Sequence, residues 1–193
     1  IALFGKEPDP PYNRPPLTKG LWKGKPMEKI WRKTKEKDAK VFLERTIVSL
    51  DTDNKTITDD RGKDFGYEKL LLATGGSPRT LPFGGEQIIY FRTVQDYKRL
   101  RALSEQSSHL GVIGGGFIGS EIAAALAMNG VQVTMVFPEE GIGANVYPRE
   151  ISQYLNDYYR EKGVEVLAGR SVKDVKKKGK GAVLVLDRKR EIA

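Results

Sequence analysis

The chain has 193 residues, of which 39% are hydrophobic and 30% are charged, and it contains no cysteine. These residues therefore exclude disulfide frameworks, cysteine-ligated metal sites and thiol-based catalysis, and no apolar run approaches the roughly 20 residues that a membrane span needs. The formal net charge of +8 is concentrated at the two ends, and residues 170–193 hold 9 Lys and Arg against 3 Asp and Glu.

The basic end of the chain has two interpretations. Nucleic-acid binding would require its cations to share a face with aromatic side chains or with a recognised reading element. The lysines there have no aromatic neighbour in sequence, which is typical of a solvated strand end and turn. We favour the solvated surface and keep nucleic-acid binding as the less favoured alternative. The lysines concerned are Lys173, Lys176, Lys177, Lys178 and Lys180.

The first half of the chain has the pattern of short strands joined by rigid loops. Residues 1–4 read as the end of a strand, and the prolines of residues 8–16 then enforce an extended, turn-rich backbone. The β-rich runs 41–43 and 46–50, followed by turn signals, predict a small antiparallel meander. Residues 67–73 have the pattern of a buried strand.

The second half alternates between strand and helix patterns. Thr93 and Asp96 have capping-box spacing and predict a helix that continues through Leu103. Parallel neighbours require a crossover helix, so the alternation that follows predicts a doubly wound sheet. In chain order we predict a strand at 110–113, a helix at 117–128, a strand at 131–136, a helix from Pro148 to Gly163, a strand at 164–167, and a hairpin of 172–175 with 182–186. On the helix that Pro148 begins, Ile151, Tyr154, Leu155 and Tyr158 fall on one face.

The main chemical signal is the glycine-rich sequence between the strand at 110–113 and the following helix, Gly114-Gly115-Gly116-Phe117-Ile118-Gly119. In this setting Gly114 provides a tight turn, Gly116 allows close approach of a pyrophosphate, and Gly119 lets the helix pack on the sheet. The helix N-terminus adds free N–H groups and the positive end of its dipole. We therefore predict a nicotinamide-dinucleotide site, with a structural glycine turn as the alternative.

Two glutamates bear on this predicted site. Glu139 follows the strand at 131–136, where a carboxylate binds the adenine ribose hydroxyls and repels a 2′-phosphate. No arginine is in reach by sequence, so the pattern favours NADH over NADPH, and a solvated acidic turn is the alternative. Glu121 lies in the helix after the glycines, where it suits either the nicotinamide end or the helix dipole. His109, the single histidine, is interpreted as structural, and we predict no metal site.

Several separated segments resemble the FAD-dependent pyridine nucleotide-disulfide oxidoreductase superfamily, and within it the apoptosis-inducing factor group with its bacterial-type relatives. The matching segments occur in family order and extend over nearly the whole chain. They are residues 11–19 (PYNRPPLTK), 67–79 (YEKLLLATGGSPR), 91–92 (FR), 114–121 (GGGFIGSE) and 137–143 (FPEEGIG).

The resemblance implies a role for each matching position. Lys19 and Glu121 would form a pair beside the flavin, one residue from each predicted domain, and are the predicted catalytic residues. Glu139 would bind the ribose, and Phe117 would stack near the nicotinamide. The predicted FAD contacts are Arg14, Lys19, Val48 in the adenine pocket, Thr74, Gly75 and Arg92. The predicted nicotinamide-side contacts are Gly114, Gly115, Gly116, Phe117, Ile118, Gly119, Glu121, Glu139 and Gly143.

The implied fold is α/β, an FAD/NAD(P)-binding Rossmann-like three-layer fold with a central parallel sheet and two dinucleotide-binding domains, of which the first is incomplete. Residues 1–92 would be part of the FAD-binding domain and residues 93–193 the NADH-binding domain. The family's first glycine loop would precede Ile1, and its later FAD segment and C-terminal domain would follow Ala193. We therefore expect the chain to be an internal part of a longer protein.

The implied activity is that of an FAD-dependent NADH oxidoreductase. Disulfide reductases of this superfamily have a redox cysteine near the position of residues 10–12, where this chain has no thiol, so electrons would pass to an external acceptor such as a quinone, a ferredoxin-like carrier or oxygen. A ferredoxin or rubredoxin reductase is an alternative, and so is a pro-apoptotic protein that binds partners or nucleic acid. A homodimer is also considered. We expect a cytoplasmic protein, or a mitochondrial protein if the chain is part of a true apoptosis-inducing factor.

Overall fold

The structure, a computed structural model, describes residues 1–34, 38–179, 181–187 and 191–192. Lys180, one of the lysines singled out above, lies outside these residues. The chain divides into two compact units, Ile1–Asn13 with Pro26–Ser77, and Arg14–Lys25 with Pro78–Ala193. The residues of each unit pack mainly with one another. The predicted boundary between the FAD-binding and NADH-binding domains, between residues 92 and 93, stays a prediction.

The first unit contains two small sheets. Phe4 stacks on Phe42 with ring centroids 4.7 Å apart, and both rings contact the Phe65 ring at a steep angle. Aromatic packing of this kind joins the two sheets into one apolar cluster. The parallel sheet consists of β1 (Ala2–Gly5) and β2 (Lys40–Leu43), and the antiparallel sheet has the order β3 (Ile47–Asp51), β4 (Thr56–Asp59) and β5 (Asp64–Gly66).

Two predictions for this unit are wrong. The run 41–43 does not join the meander, because β2 pairs in parallel with β1. Residues 67–73 form no strand, and the side chain of Leu71 is 85% exposed. A strand requires a neighbour for its backbone hydrogen bonds, and within residues 1–34 and 38–77 no strand pairs with this segment.

The second unit confirms the predicted alternation of strands and helices. Thr93 and Asp96 form the predicted capping box, and the helix that they begin extends three residues beyond the predicted end, to Gln106. The elements are α1 (Val94–Gln106), β6 (His109–Ile113), α2 (Phe117–Met128), β7 (Gln132–Phe137), α3 (Arg149–Glu161), β8 (Val164–Ala168), β9 (Val172–Lys178), β10 (Gly181–Leu186) and β11 (Glu191–Ile192). Among the described residues, no helix is both long enough and apolar enough to cross a membrane.

This unit has three layers, as the implied fold requires. Strands β6, β7 and β8 form a parallel sheet in that order, and β9, β10 and β11 form an antiparallel sheet. Val136 of β7 packs against Val175, Leu184 and Leu186 of the antiparallel sheet. Because side chains alternate along a strand, the fully buried Met135 faces the opposite side, where α2 and α3 lie.

Helix α3 differs from an ordinary amphipathic helix. Ile151, Tyr154 and Tyr158 of the predicted face are exposed, with 64% of Tyr154 accessible, and Leu155 of that face is half-buried. The buried side chains are instead Ser152 and Asn156. Asn156 is buried here because its amide bonds a loop backbone whose hydrogen-bonding groups need partners, whereas the hydroxyl of Ser152 has no hydrogen-bond partner among the described residues.

Candidate functional site

The glycine-rich turn between β6 and α2 depends on close backbone contacts. Gly114 has a φ of +113°, and its N–H donates to the carbonyl of Val136 at 2.9 Å, which ties the turn to β7. A Cβ atom at Gly119 would lie 2.1 Å from the carbonyl oxygen of Gly114. Only glycine therefore allows α2 to begin this close to the end of the strand.

A cleft of about 230 Å³ opens above this turn, between the start of α2 and the loop after β7. Gly116 precedes the helix, no side chain caps it, and a Cβ atom there would meet nothing within 4 Å. The first N–H groups of a helix lack partners within the helix and favour anions. The cleft therefore fits the pyrophosphate of a dinucleotide, bound by the first turn of α2.

The loop after β7 contacts the glycine turn directly. The N–H of Gly143 donates to the carbonyl of Gly115 at 2.8 Å. Gly143 has a φ of +71°, and a Cβ atom there would lie 2.5 Å from the ring of Tyr147. A Cβ atom at Gly115 would likewise overlap the Phe137 ring, at 2.7 Å. These glycines let the loop and the turn approach each other backbone to backbone.

Asn156 of α3 holds the same loop from below. Its amide nitrogen donates to the carbonyl of Glu140 at 2.9 Å, and its amide oxygen accepts the N–H of Ile142 at 3.0 Å. The side chain of Asn156 is buried, and Gly141 packs against the backbone of Ser152, where a Cβ atom would not fit. Our sequence analysis missed Asn156. No motif marks this residue, because its burial depends on how α3 packs against the loop.

Tyr159 joins the first turn of α2 to α3. Its hydroxyl donates to the carbonyl of Ser120 at 3.1 Å. Burial raises the pKa of this hydroxyl above its ordinary value of 10.0, so the group stays protonated and remains a donor at neutral pH. The turn that faces the cleft is thus supported by a side chain from the next helix.

Glu139 lies on the rim of the cleft at the end of β7. Its carbonyl accepts the N–H of Gly169 at 2.8 Å, which ties this position to the segment after β8. Its half-buried carboxylate accepts a hydrogen bond from the amide of Asn145 at 3.4 Å. A carboxylate at this point is in the position that binds an adenine ribose, and that role stays a prediction.

The predicted pair of Lys19 and Glu121 is present. The Lys19 ammonium lies 3.0 Å from one carboxylate oxygen of Glu121, and 58% of the lysine side chain and 29% of the glutamate side chain are exposed. Thr18, which the sequence analysis missed, donates its hydroxyl to the other oxygen at 2.5 Å. The segment Arg14–Lys25 belongs to the same compact unit as Glu121, so the pair forms within one unit.

The other predicted FAD contacts are divided between the two units. In the second unit the guanidinium of Arg14 donates to the carbonyl of Arg92 at 2.9 Å. In the first unit Val48 lies at an irregularity of β3 and is 63% exposed, and Thr74 and Gly75 are exposed. The roles of these residues stay predictions.

Two apolar side chains of α2 remain exposed, and one of them, Phe117, lies in the wall of the cleft. Phe117 is 53% exposed and Ile118 is 49% exposed. The Phe117 ring meets the Tyr147 ring edge to face, with centroids 6.0 Å apart. Exposed aromatic surface in the wall of a cleft suits stacking against a planar ligand.

Comparison with known proteins gives a consistent result. Residues 1–193 match the protein family described as Pyridine nucleotide-disulphide oxidoreductase. Apoptosis-inducing factor 1, mitochondrial, of Dictyostelium discoideum is 32% identical over 202 residues, which cover 91% of this chain and 38% of that protein. Monodehydroascorbate reductase 3 of Arabidopsis thaliana is 33% identical over 196 residues, which cover 88% of this chain and 44% of that protein. The chain thus spans less than half the length of these relatives.

Solved structures share the fold over the same extent. A ferredoxin reductase of Rhodopseudomonas palustris superposes with a TM-score of 0.90 and 29% identity, covering 100% of this chain and 50% of that one. A water-forming NADH oxidase of Lactobacillus brevis, bound to NADH, superposes with a TM-score of 0.88 over 100% of this chain and 45% of its own. At 18% identity the second likeness concerns the fold alone.

Proposed function

Because the chain belongs to the pyridine nucleotide-disulphide oxidoreductase family, we propose that it is part of an FAD-dependent NADH oxidoreductase, which transfers hydride from NADH to FAD and passes electrons to an external acceptor. The observation that carries the proposal is the cleft between the uncapped start of α2 and the carboxylate of Glu139. Bound FAD would supply the hydride-accepting chemistry, and the protein orients the two cofactors.

The nicotinamide cofactor is bound by three kinds of group in this proposal. The N–H groups at the start of α2 bind the pyrophosphate, and the open position of Gly116 allows its close approach. The carboxylate of Glu139 accepts hydrogen bonds from the adenine ribose and repels a 2′-phosphate. NADH is therefore preferred over NADPH. Phe117 stacks near the nicotinamide and shields the flavin.

Lys19 and Glu121 provide a fixed pair of charges at the reacting end of the cofactors. Thr18 and Lys19 each hold one carboxylate oxygen, so the Glu121 side chain has one defined position. A group held in this way orients a neighbour without reorganising during the reaction. Arg14, Arg92, Val48, Thr74 and Gly75 complete the proposal as contacts to the FAD.

The acceptor is a quinone, a ferredoxin-like carrier or oxygen in this proposal. A ferredoxin reductase is among the similar structures. The second candidate function is therefore that of a ferredoxin reductase, which passes electrons to a small acidic carrier. Lys173, Lys176 and Lys177 are exposed on β9, an edge strand, and a cationic surface of this kind steers an acidic partner.

The test uses the purified full-length protein. Its absorption spectrum identifies bound flavin, and anaerobic addition of NADH should bleach the flavin band. Steady-state turnover is then compared with three electron acceptors, a quinone, a ferredoxin and oxygen. NADH and NADPH are each used as the donor. A flavin that NADH does not reduce would contradict the proposal, and equal turnover with NADPH would contradict the donor preference.

A further inference from the structure

A second cleft of about 350 Å³ adjoins the first beyond the end of β7. The two clefts share Glu139, Gly141 and Ala144 in their walls. The wall of the second cleft also contains Glu140 and Arg149, the first residue of α3. A cation therefore lies on the same cleft as the carboxylate that the proposed function assigns to the adenine ribose.

Arg149 was not considered in the sequence analysis because it lies beyond the short segment that follows β7. The loop after β7 returns the chain to this point, and one guanidinium nitrogen of Arg149 lies 3.3 Å from a carboxylate oxygen of Glu140. Both side chains are largely exposed, at 71% and 73%. An exposed pair of this kind contributes little to stability, so either partner can be replaced without unfolding the protein.

The chemistry of the pair bears on cofactor choice. A guanidinium binds phosphate through paired hydrogen bonds and is the group that accommodates the 2′-phosphate of NADPH in this type of fold. A carboxylate paired with a guanidinium offsets part of its positive charge, and a phosphate competes with that carboxylate for the guanidinium donors.

This inference rests on the proposed function of Glu139 as the ribose ligand. We propose that Glu140 is a second specificity-determining residue, which pairs with Arg149 and thereby competes with a 2′-phosphate for this arginine. Glu139 repels the 2′-phosphate directly, whereas Glu140 occupies the arginine that would attract the 2′-phosphate. Replacing Glu139 alone therefore leaves the cleft without a side chain that binds the 2′-phosphate. Replacing both glutamates gives Arg149 that role.

The experiment measures the Kd of NADH and NADPH for the full-length, flavin-containing protein, from the concentration dependence of anaerobic flavin reduction, at low and high ionic strength. The variants are Glu139→Ser, Glu140→Gln, the double variant, and the double variant with Arg149→Met. We expect the double variant to bind NADPH about tenfold more tightly than Glu139→Ser, as one charge-assisted hydrogen bond at an exposed site would allow. Arg149→Met should abolish that gain, and added salt should reduce it.

Glu150→Gln is the matched control, because it removes an exposed acidic side chain from the same end of α3. Combined with Glu139→Ser, it should leave the affinity for NADPH unchanged. The inference is overturned if the double variant gains nothing over Glu139→Ser, or if the gain survives Arg149→Met. In those cases NADH binding by the unmodified protein still supports the proposed function. Failure of the unmodified protein to bind NADH would overturn both.

Discussion

The ammonium of Lys19 lies 3.0 Å from one carboxylate oxygen of Glu121, while the hydroxyl of Thr18 donates to the other. Both oxygens of the glutamate are therefore held by two neighbouring residues far from it in sequence, and Thr18 precedes it by 103 positions. Such an arrangement makes the residues interdependent, because removing one partner releases the side chain that the other holds.

The first prediction concerns this interdependence. Glu121→Gln and Lys19→Met should each slow anaerobic flavin reduction by NADH about tenfold, and the double variant should be no slower than either single one, since residues in one network couple by about 0.5–3 kcal/mol. Stopped-flow absorbance measures the rate. Lys23→Met, which removes an exposed lysine from the next turn, is the control. Strictly additive losses would mean that the two residues act separately.

The second prediction concerns Glu139. Glu139→Ala should weaken NADH binding by about 1–3 kcal/mol, because the ribose hydroxyls lose their acceptor in the bound state. The concentration dependence of anaerobic flavin reduction by NADH in the full-length protein measures the change in Kd. Glu161→Ala, which replaces an exposed glutamate at the far end of α3, should leave the affinity unaltered. An unchanged Kd for Glu139→Ala would remove this residue from the cofactor site.

The third prediction separates two glycines of the same turn. Gly119→Ala should destabilise the protein, because the new Cβ would overlap the carbonyl of Gly114. Gly116→Ala should leave the unfolding midpoint almost unchanged, since its φ of −78° suits any residue and the space is open. It should nevertheless weaken NADH binding, because the methyl group would occupy the approach of the phosphates. Thermal unfolding measures the stability of both variants, and the concentration dependence of flavin reduction by NADH measures the Kd. An unchanged Kd in Gly116→Ala would show that the phosphates do not approach at this position.

The fourth prediction concerns Asn156. Asn156→Ala should lower the free energy of unfolding by about 1–3 kcal/mol, because it leaves the N–H of Ile142 and the carbonyl of Glu140 without their partner. The Kd for NADH should rise as the loop loses its support. Asn156→Asp keeps the acceptor but places a second oxygen against the carbonyl of Glu140, so it should be at least as destabilising as Asn156→Ala at neutral pH. Gln153→Ala is the exposed control for the urea denaturation. Full stability in Asn156→Ala would show that water replaces the amide.

The fifth prediction concerns pH. Burial alone would raise the pKa of Asp59, but the N–H groups of Lys63 and Arg61 and the guanidinium of Arg45 together hold the pKa below its ordinary value of 3.8. A depressed folded-state pKa adds stability above the unfolded pKa, and this stability is lost as the pH falls through the folded value.

Asp59→Asn should therefore lower the unfolding midpoint near neutral pH and flatten its decline below about pH 4. Circular dichroism over a pH series measures both effects. Asp60→Asn, an exposed neighbour, should retain the slope of the unmodified protein. An equally steep acid decline in Asp59→Asn would assign the acid sensitivity to other carboxylates.

Local rules were sufficient for the elements around the candidate site. The capping box at Thr93, the glycine turn and the ends of α2 followed from residue type and spacing, because these features depend on neighbours a few positions away. The segment 67–73 had an equally clear strand pattern and formed no strand, because a strand needs a partner that its own sequence does not supply.

The sequence by itself determined the glycine-rich turn and the alternation of strands and helices, and its resemblance to the family implied the candidate pair of Lys19 and Glu121. Only the tertiary structure decided that Thr18 completes that pair, that Asn156 supports the loop of Glu139, and that Arg149 returns to the wall of the same cleft. These relationships depend on how distant segments pack. No periodicity or motif encodes them, because each residue reaches its partner through a fold built by the rest of the chain.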